Sequence, residues 1–264
     1  LVFADNVMKG DIDGSVSKEE FDRRLSLADK MNSSFHGRFK QKQVKTYHGL
    51  YDEAINLMTS EDLKAFDIKH EDNKVRDFYG QNGFGQGCLL ARRLVEHQVR
   101  FVEVNLGGWD THNDNFVSVE ARCQILDQAL AGLISDLERR GLLDSTLVAL
   151  GTEFGRTPDI NGNTGRDHFP RAFSALMAGG GVKPGITYGQ TDDYAYNIVD
   201  ADGNTLRPQP TKLKWTPGTM HIHDLNATIL HLVGFNHRKL TYRYQGRDFR
   251  LTDLHGHVIK DLLA

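Results

Sequence analysis

Val99-Arg100-Phe101-Val102-Glu103-Val104-Asn105-Leu106 is a run of β-branched and apolar residues that breaks at Gly107-Gly108 and continues as Trp109-Asp110-Thr111-His112-Asn113-Asp114. The run has the composition of a strand, and the glycine pair ends it. Beyond it, the spacing predicts a long helix over 118–140 and a second strand over 146–150. Strand, helix, strand at this spacing is the βαβ unit of a parallel sheet. Further on, 173–178 reads as a buried strand ended by Gly179-Gly180-Gly181, 198–206 as a hairpin about Asp202-Gly203, and 223–235 as a helix. On the N-terminal side, helices are predicted over 17–39, 44–58 and 87–98, with a short one after Ser60. Ser17 and Glu20 have capping-box spacing for the first of these. The expected fold is α/β, with a helical N-terminal third and a mostly parallel central sheet in a single domain over 1–264.

A chain of 264 residues buries a large apolar core. The formal net charge of -3 supplies no global basic field for nucleic acid, and no apolar run approaches the roughly 18 to 20 residues that span a bilayer. Two cysteines, Cys88 and Cys123, support neither a disulfide framework nor a thiolate zinc site, and Cys88 sits in an apolar helical run that predicts a buried thiol. Twelve histidines are many for this length, and several stand beside acidic residues in the second half.

In open parallel sheets, ligands bind beyond the carboxyl ends of the strands, so the residues just after each strand come first. After the first stand Asp110 and His112, an oxygen and an imidazole able to share a cation, although Asp there also makes an Asx turn. After the second stand Glu153 and Arg156. The guanidinium fork of Arg156 matches phosphate or sulfate oxygens, and it is equally a salt-bridge partner for Glu153. A loop rich in Asn and Gly then carries Asp167-His168. Last comes His221-Ile222-His223-Asp224, in which His223 offers an imidazole and Asp224 a helix cap. Asp110, His112, Glu153, Asp167, His168 and His223 are thus the candidate metal ligands and Arg156 the candidate anion-binding residue. Oxygen and imidazole donors point to one or two ions of zinc, manganese, magnesium or calcium. One decoy stands at 11–20, which resembles most of a calcium loop. Alignment on Gly14 puts Lys9 where the first ligand must be acidic, and a capped helix start accounts for it better.

Several segments in this order resemble a bacterial family known as domain of unknown function fifteen-oh-one, abundant in planctomycetes. They are Tyr79-Gly80 with Phe84-Gly85-Gln86, Leu90-Ala91-Arg92-Arg93-Leu94, Gly108-Trp109-Asp110-Thr111-His112, Glu153-Phe154-Gly155-Arg156-Thr157, Asp167-His168, Gly179-Gly180-Gly181, His221-Ile222-His223-Asp224-Leu225 and Gly246-Arg247-Asp248. The resemblance implies membership of the alkaline phosphatase and sulfatase-like superfamily, with a three-layer α/β/α sandwich and two metal sites. Asp167-His168 resembles the superfamily's paired ligands and His223 its late histidine, while Glu153 and Asp167 compete for one role. Asp110 and His112 depart from the superfamily's wider Asp and His spacing.

The resemblance also implies a Ser, Thr or modified Cys nucleophile near the domain's N-terminus, and none is found in this chain. Leu1-Val2-Phe3-Ala4-Asp5 has neither an initiator Met nor a signal segment, so the chain is read as a piece lacking its first strand and nucleophile. The expected function is metal-dependent hydrolysis of phosphate or sulfate esters, with a phosphorylated or sulfated glycan as one substrate class. The alternative is a non-catalytic extracellular module that binds metal and anionic glycans. By resemblance alone, the location is extracytoplasmic.

Overall fold

Asn82 begins the helix that organises the first half: its side chain accepts from the Gly85 amide at 2.9 Å, and the helix α2 that follows covers Gly83–Glu96. Just before it, Asp72 caps α1 over Asn73–Tyr79 in the same way. The corner between them is held by Gln86, whose side-chain amide donates to the carbonyls of Arg76 and Gly80 at 3.0 and 2.8 Å. This accounts for the Tyr79-Gly80 and Gly85-Gln86 signature as a packing device.

The computed structural model describes residues 61–206 and 216–264, together with the helical positions Glu19, Glu20, Arg23, Arg24, Ser26, Leu27 and Lys30. The expected calcium-like loop, the Ser17 cap and the 44–58 helix lie outside the described residues. The chain divides into two compact units, Leu1–Asn105 and Leu106–Ala264.

In the first unit, 3₁₀ segments at Glu61–Phe66 and Ile68–His70 precede α1 and α2. Leu89, Leu90, Ala91, Leu94 and Cys88 are buried with Ala65, Ile68 and Tyr79. Burial pushes the Cys88 thiol up to about 12, so it is inert at neutral pH. Both arginines of the Arg92-Arg93 pair carry structure. Arg92 is 1% exposed and ion-pairs with Glu71 at 2.9 Å and Glu96 at 2.6 Å. Arg93 also pairs with Glu71, and its guanidinium donates to the carbonyls of Ala65 and Lys64. Burial pushes the Glu71 carboxyl up, but hydrogen bonds from Arg93 and Arg92 outweigh it and leave the group below its ordinary value. Glu71→Ala is therefore expected to cost about 2 kcal/mol, because it leaves a buried guanidinium short of one counter-charge. Chemical denaturation of the full chain reads this, and an unchanged midpoint would refute the role.

The second unit contains α3, Asn115–Arg139, then β1, Val148–Leu150, and β2, Gly155–Arg156. Next come β3, His168–Phe169, β4, Leu176–Ala178, β5, Gln190–Thr191, and β6, Ile198–Val199. The helix α4, Ile222–Leu232, and the hairpin of β7, Thr241–Tyr244, with β8, Arg247–Arg250, complete it. The strands form four two-stranded antiparallel pairs, β1 with β4, β2 with β3, β5 with β6 and β7 with β8.

The architecture is thus mixed α/β, but the expected mostly parallel sheet is not seen among the described residues. The 101–111 stretch carries no strand, and Phe101 is 67% exposed. Its composition favours a pleated, half-buried surface, yet a strand exists only where a neighbour supplies the ladder. The 146–150 strand forms as expected in its second part and takes its antiparallel partner from the 173–178 run. The expected hairpin at 198–206 is present: Val199 bridges Thr205, and the Asp200 carboxylate accepts from the amides of Asp202 and Asn204. No helix of the described residues is long and apolar enough to cross a membrane.

The C-terminal segment is tied to α4 by two buried side chains. Asp224 accepts from the His221 amide at 2.9 Å, completing a capping box, and its other oxygen accepts from the His257 amide at 2.7 Å. Thr228, fully buried, donates to the Asp224 carbonyl and accepts from the Ile259 amide. The expected cap at Asp224 is thus corrected in position: His221 is the N-cap, and Asp224 is the N3 residue that completes the box.

Candidate metal centre

Asp110 and His112 stand on the loop that enters α3. Thr111 between them turns inward, 5% exposed, and its hydroxyl donates to the Asn115 side chain at 2.6 Å, so the two flanking side chains point outward together. The opposite wall is the loop between β2 and β3, a register that sets Arg156 against His168. Asn161 joins the walls. Its amide donates to the His112 carbonyl at 3.0 Å and to Asp167 at 3.2 Å, while its oxygen accepts from the amides of Asn163 and Gly165. Further ties run from the Arg166 amide to the Thr111 carbonyl and from the Asp167 amide to the Thr157 hydroxyl. Gly165 passes so close that a Cβ there would lie 1.9 Å from the His112 carbonyl oxygen.

This backbone frame brings three donor atoms together. Oδ1 of Asp110 lies 3.1 Å from Nε2 of His112 and 2.9 Å from Nε2 of His168, and the two Nε2 atoms are 3.2 Å apart. Asp110, His112 and His168 are the group among the described residues whose ligand atoms converge closely enough to hold a metal ion. Bonds of about 2.0 to 2.1 Å in a tetrahedral shell separate neighbouring ligand atoms by about 3.3 Å, so the triangle has the dimensions of one face of such a shell. Two imidazoles with one carboxylate suit a borderline transition cation better than calcium or magnesium, which take oxygen donors.

Asp167 supports the triad without joining it. It meets Nδ1 of His112 at 3.1 Å, the arrangement in which a carboxylate takes the ring's N–H and leaves Nε2 as a lone pair aimed at the other two donors. Hydrogen bonds from Asn161 and then His112 hold the Asp167 carboxyl below its ordinary value. Asp110 is held lower still, at about 2, by hydrogen bonds from His168 and Arg156, so it is an anion throughout the neutral range. Arg156 donates to Asp110 through Nη1 at 2.9 Å, and its guanidinium carbon lies 5.9 Å from the Phe154 ring centre. That ring also packs on His168, at 4.6 Å between centres.

The structure therefore gathers Asp110, His112, Asp167, His168 and Arg156, five of the seven sequence candidates. Arg156 finds its counter-charge in Asp110, forty-six residues away, rather than in nearby Glu153. Glu153 is exposed and stands outside the triad. Asp167, its rival for one role, has the contact with His112. His223 also stands outside the triad, in the first turn of α4, its ring 4.9 Å from that of His221 and 5.3 Å from that of His255. Asn161 was not anticipated. Only the Asn and Gly richness of its loop hinted at a structured turn, and an asparagine that bridges two segments leaves no mark in local sequence.

Neither the curated proteins nor the solved structures contain a match to this chain. A family model does match, over residues 3–263, and its description is Protein of unknown function (DUF1501). Because that match spans almost every residue, including both walls of the triad, the chain belongs to the DUF1501 family.

Proposed function

We propose that this chain is a metal-dependent hydrolase of phosphate or sulfate esters, belonging with its three-layer sandwich to the alkaline phosphatase and sulfatase-like superfamily and working outside the cytoplasm. The observation that carries the reading is the convergence of Asp110, His112 and His168 within 3.2 Å of one another beside the guanidinium of Arg156. A carboxylate oxygen and two imidazole nitrogens converging on one point form a donor set that a cation can occupy once His168 gives up its Nε2 proton. When bound, such a cation supplies Lewis-acid charge and lowers the pKa of water.

The chain's own residues do the rest. Asp167 fixes the tautomer and tilt of His112. Arg156 uses one nitrogen on Asp110, and the remaining N–H groups of its fork suit the oxygens of a tetrahedral ester group. Phe154 packs against the His168 ring.

A second reading, a non-catalytic module that holds metal and anionic glycans, is favoured by one observation. The hydrogen-bond and ion-pair partners of Asp110, His112 and His168 among the described residues include no Ser, Thr or Cys side chain. A nucleophile is thus not supplied at the triad by these residues, and water would have to attack.

A panel of aryl and sugar phosphate and sulfate esters, incubated with the chain loaded with zinc or manganese, tests the proposal. The expected result is turnover that chelation removes and metal restores, with Arg156→Ala lowering kcat/KM by about a hundred-fold. Stoichiometric metal without turnover on any ester would overturn hydrolysis in favour of the binding module.

A further inference from the structure

The C-terminal end of α4 faces a pocket of about 410 Å³ that belongs to none of the chemistry above. Five basic or imidazole side chains line it, His231, His237, Arg238, His257 and Lys260, and no Asp or Glu does. Its volume lies in the range of small-molecule sites, well above that of a lone inorganic ion. Phe235, 53% exposed, adds an apolar wall.

Three features mark this as a built pocket. His237 is buried at 7% exposure, and its Nδ1 is 2.9 Å from the hydroxyl of the fully buried Thr252, which fixes the ring. Burial holds His237 below the usual imidazole range, Arg238 and Arg250 push the same way, and Asp224 only partly opposes them. Arg238 and Arg250 therefore lie near enough for their charges to be felt at this ring. Arg238 and Lys260 are exposed and form no ion pair with the described residues.

A helix C-terminus ordinarily repels an anion through its unpaired carbonyls. Here two of those carbonyls are occupied. The amides of Phe235 and Gly234 donate to the carbonyls of Leu230 and His231, a Schellman closure that Gly234 permits with φ of +87°.

We propose that this pocket binds a small organic oxyanion, a phosphate or sulfate monoester, with Arg238 and Lys260 on the charged oxygens, His237 behind them and Phe235 against the organic part. A flat macromolecular partner would not need the recess. The site is independent of the metal centre, and its test is run without metal.

The experiment uses the full ¹⁵N-labelled chain in EDTA at constant ionic strength, titrated separately with inorganic sulfate, inorganic phosphate, glucose 6-sulfate and glucose 6-phosphate. Histidine ring correlations report the site. Saturable shifts of His231, His237 and His257 are expected, with the esters binding at least about three-fold tighter than the free ions, since burying apolar area adds to charge pairing. The double variant Arg238→Ala with Lys260→Ala, both on exposed side chains, is expected to weaken ester binding by about ten-fold or more without altering thermal unfolding. His112→Ala, in the other centre, is expected to leave it unchanged. Shifts that stay linear with concentration, or binding that survives the double variant, would overturn the site. Equal affinity for ester and free ion would overturn the ester assignment.

Discussion

Replacing His112 and His168 together with alanine is expected to abolish stoichiometric zinc binding, raising the dissociation constant by at least about a thousand-fold. Loss of a single outer carboxylate or ring partner typically costs ten- to a hundred-fold in metal affinity, and here two of three direct donors go. Asp110 alone then remains, already engaged by Arg156 at 2.9 Å. The side chains are 41% and 49% exposed, so their removal opens no buried cavity, and the thermal midpoint of the metal-free chain is expected to move little. Dialysis against zinc followed by elemental analysis gives the stoichiometry, and competition with a chromophoric chelator gives the affinity. Asp167→Asn is expected to fall between, about ten- to a hundred-fold weaker, because it disturbs only the orientation of His112. One equivalent of zinc retained by the double variant would refute the assignment of this triad.

The second large effect is steric. Gly165→Ala is expected to cost about 3 kcal/mol or more and to weaken metal binding by at least about a hundred-fold, although the side chain touches no donor atom. The added carbon would lie 1.9 Å from the His112 carbonyl oxygen and 2.7 Å from the Asn113 nitrogen. Both are backbone atoms, so no rotamer change relieves the overlap. The only relief is to separate the two loops, which breaks the Asn161 bond to His112 and parts the imidazoles. Gly162→Ala, three residues away with open space around the new carbon, is the matched control and is expected to be close to neutral. Equal metal affinities in the two variants would show that the loops do not need this close approach.

Much of the helical framework was legible because helices write a local period into sequence. The run 87–98 and the observed Gly83–Glu96, like 118–140 and Asn115–Arg139, differ mainly at their ends, where caps such as Asn82 set the boundary. Strand pairing was not legible in the same way. The residues of β1 and β4 were both identifiable as strands, but their antiparallel register depends on which neighbour each finds.

At the candidate metal centre, residue type was informative and partnership was not. Aspartate and histidine after glycine turns announced Asp110, His112, Asp167 and His168. Nothing local distinguished exposed Glu153 from Asp167, or told Arg156 to pair with Asp110, because those choices depend on contacts forty-six or more residues apart. The Arg92, Arg93 and Gln86 signatures were visible as motifs, and their packing role emerges only from the carbonyls and carboxylates they reach.

The two walls of the triad are fifty-five residues apart along the chain, with all of α3 between them. A helix forms in microseconds from contacts a few residues apart, whereas joining His112 to Asp167 requires closing the whole intervening segment. Forming the centre therefore carries a larger loop-closure cost than forming α3. A cation shared by Asp110, His112 and His168 would tie the two loops across that span, a cross-link whose value grows with the length of chain it closes.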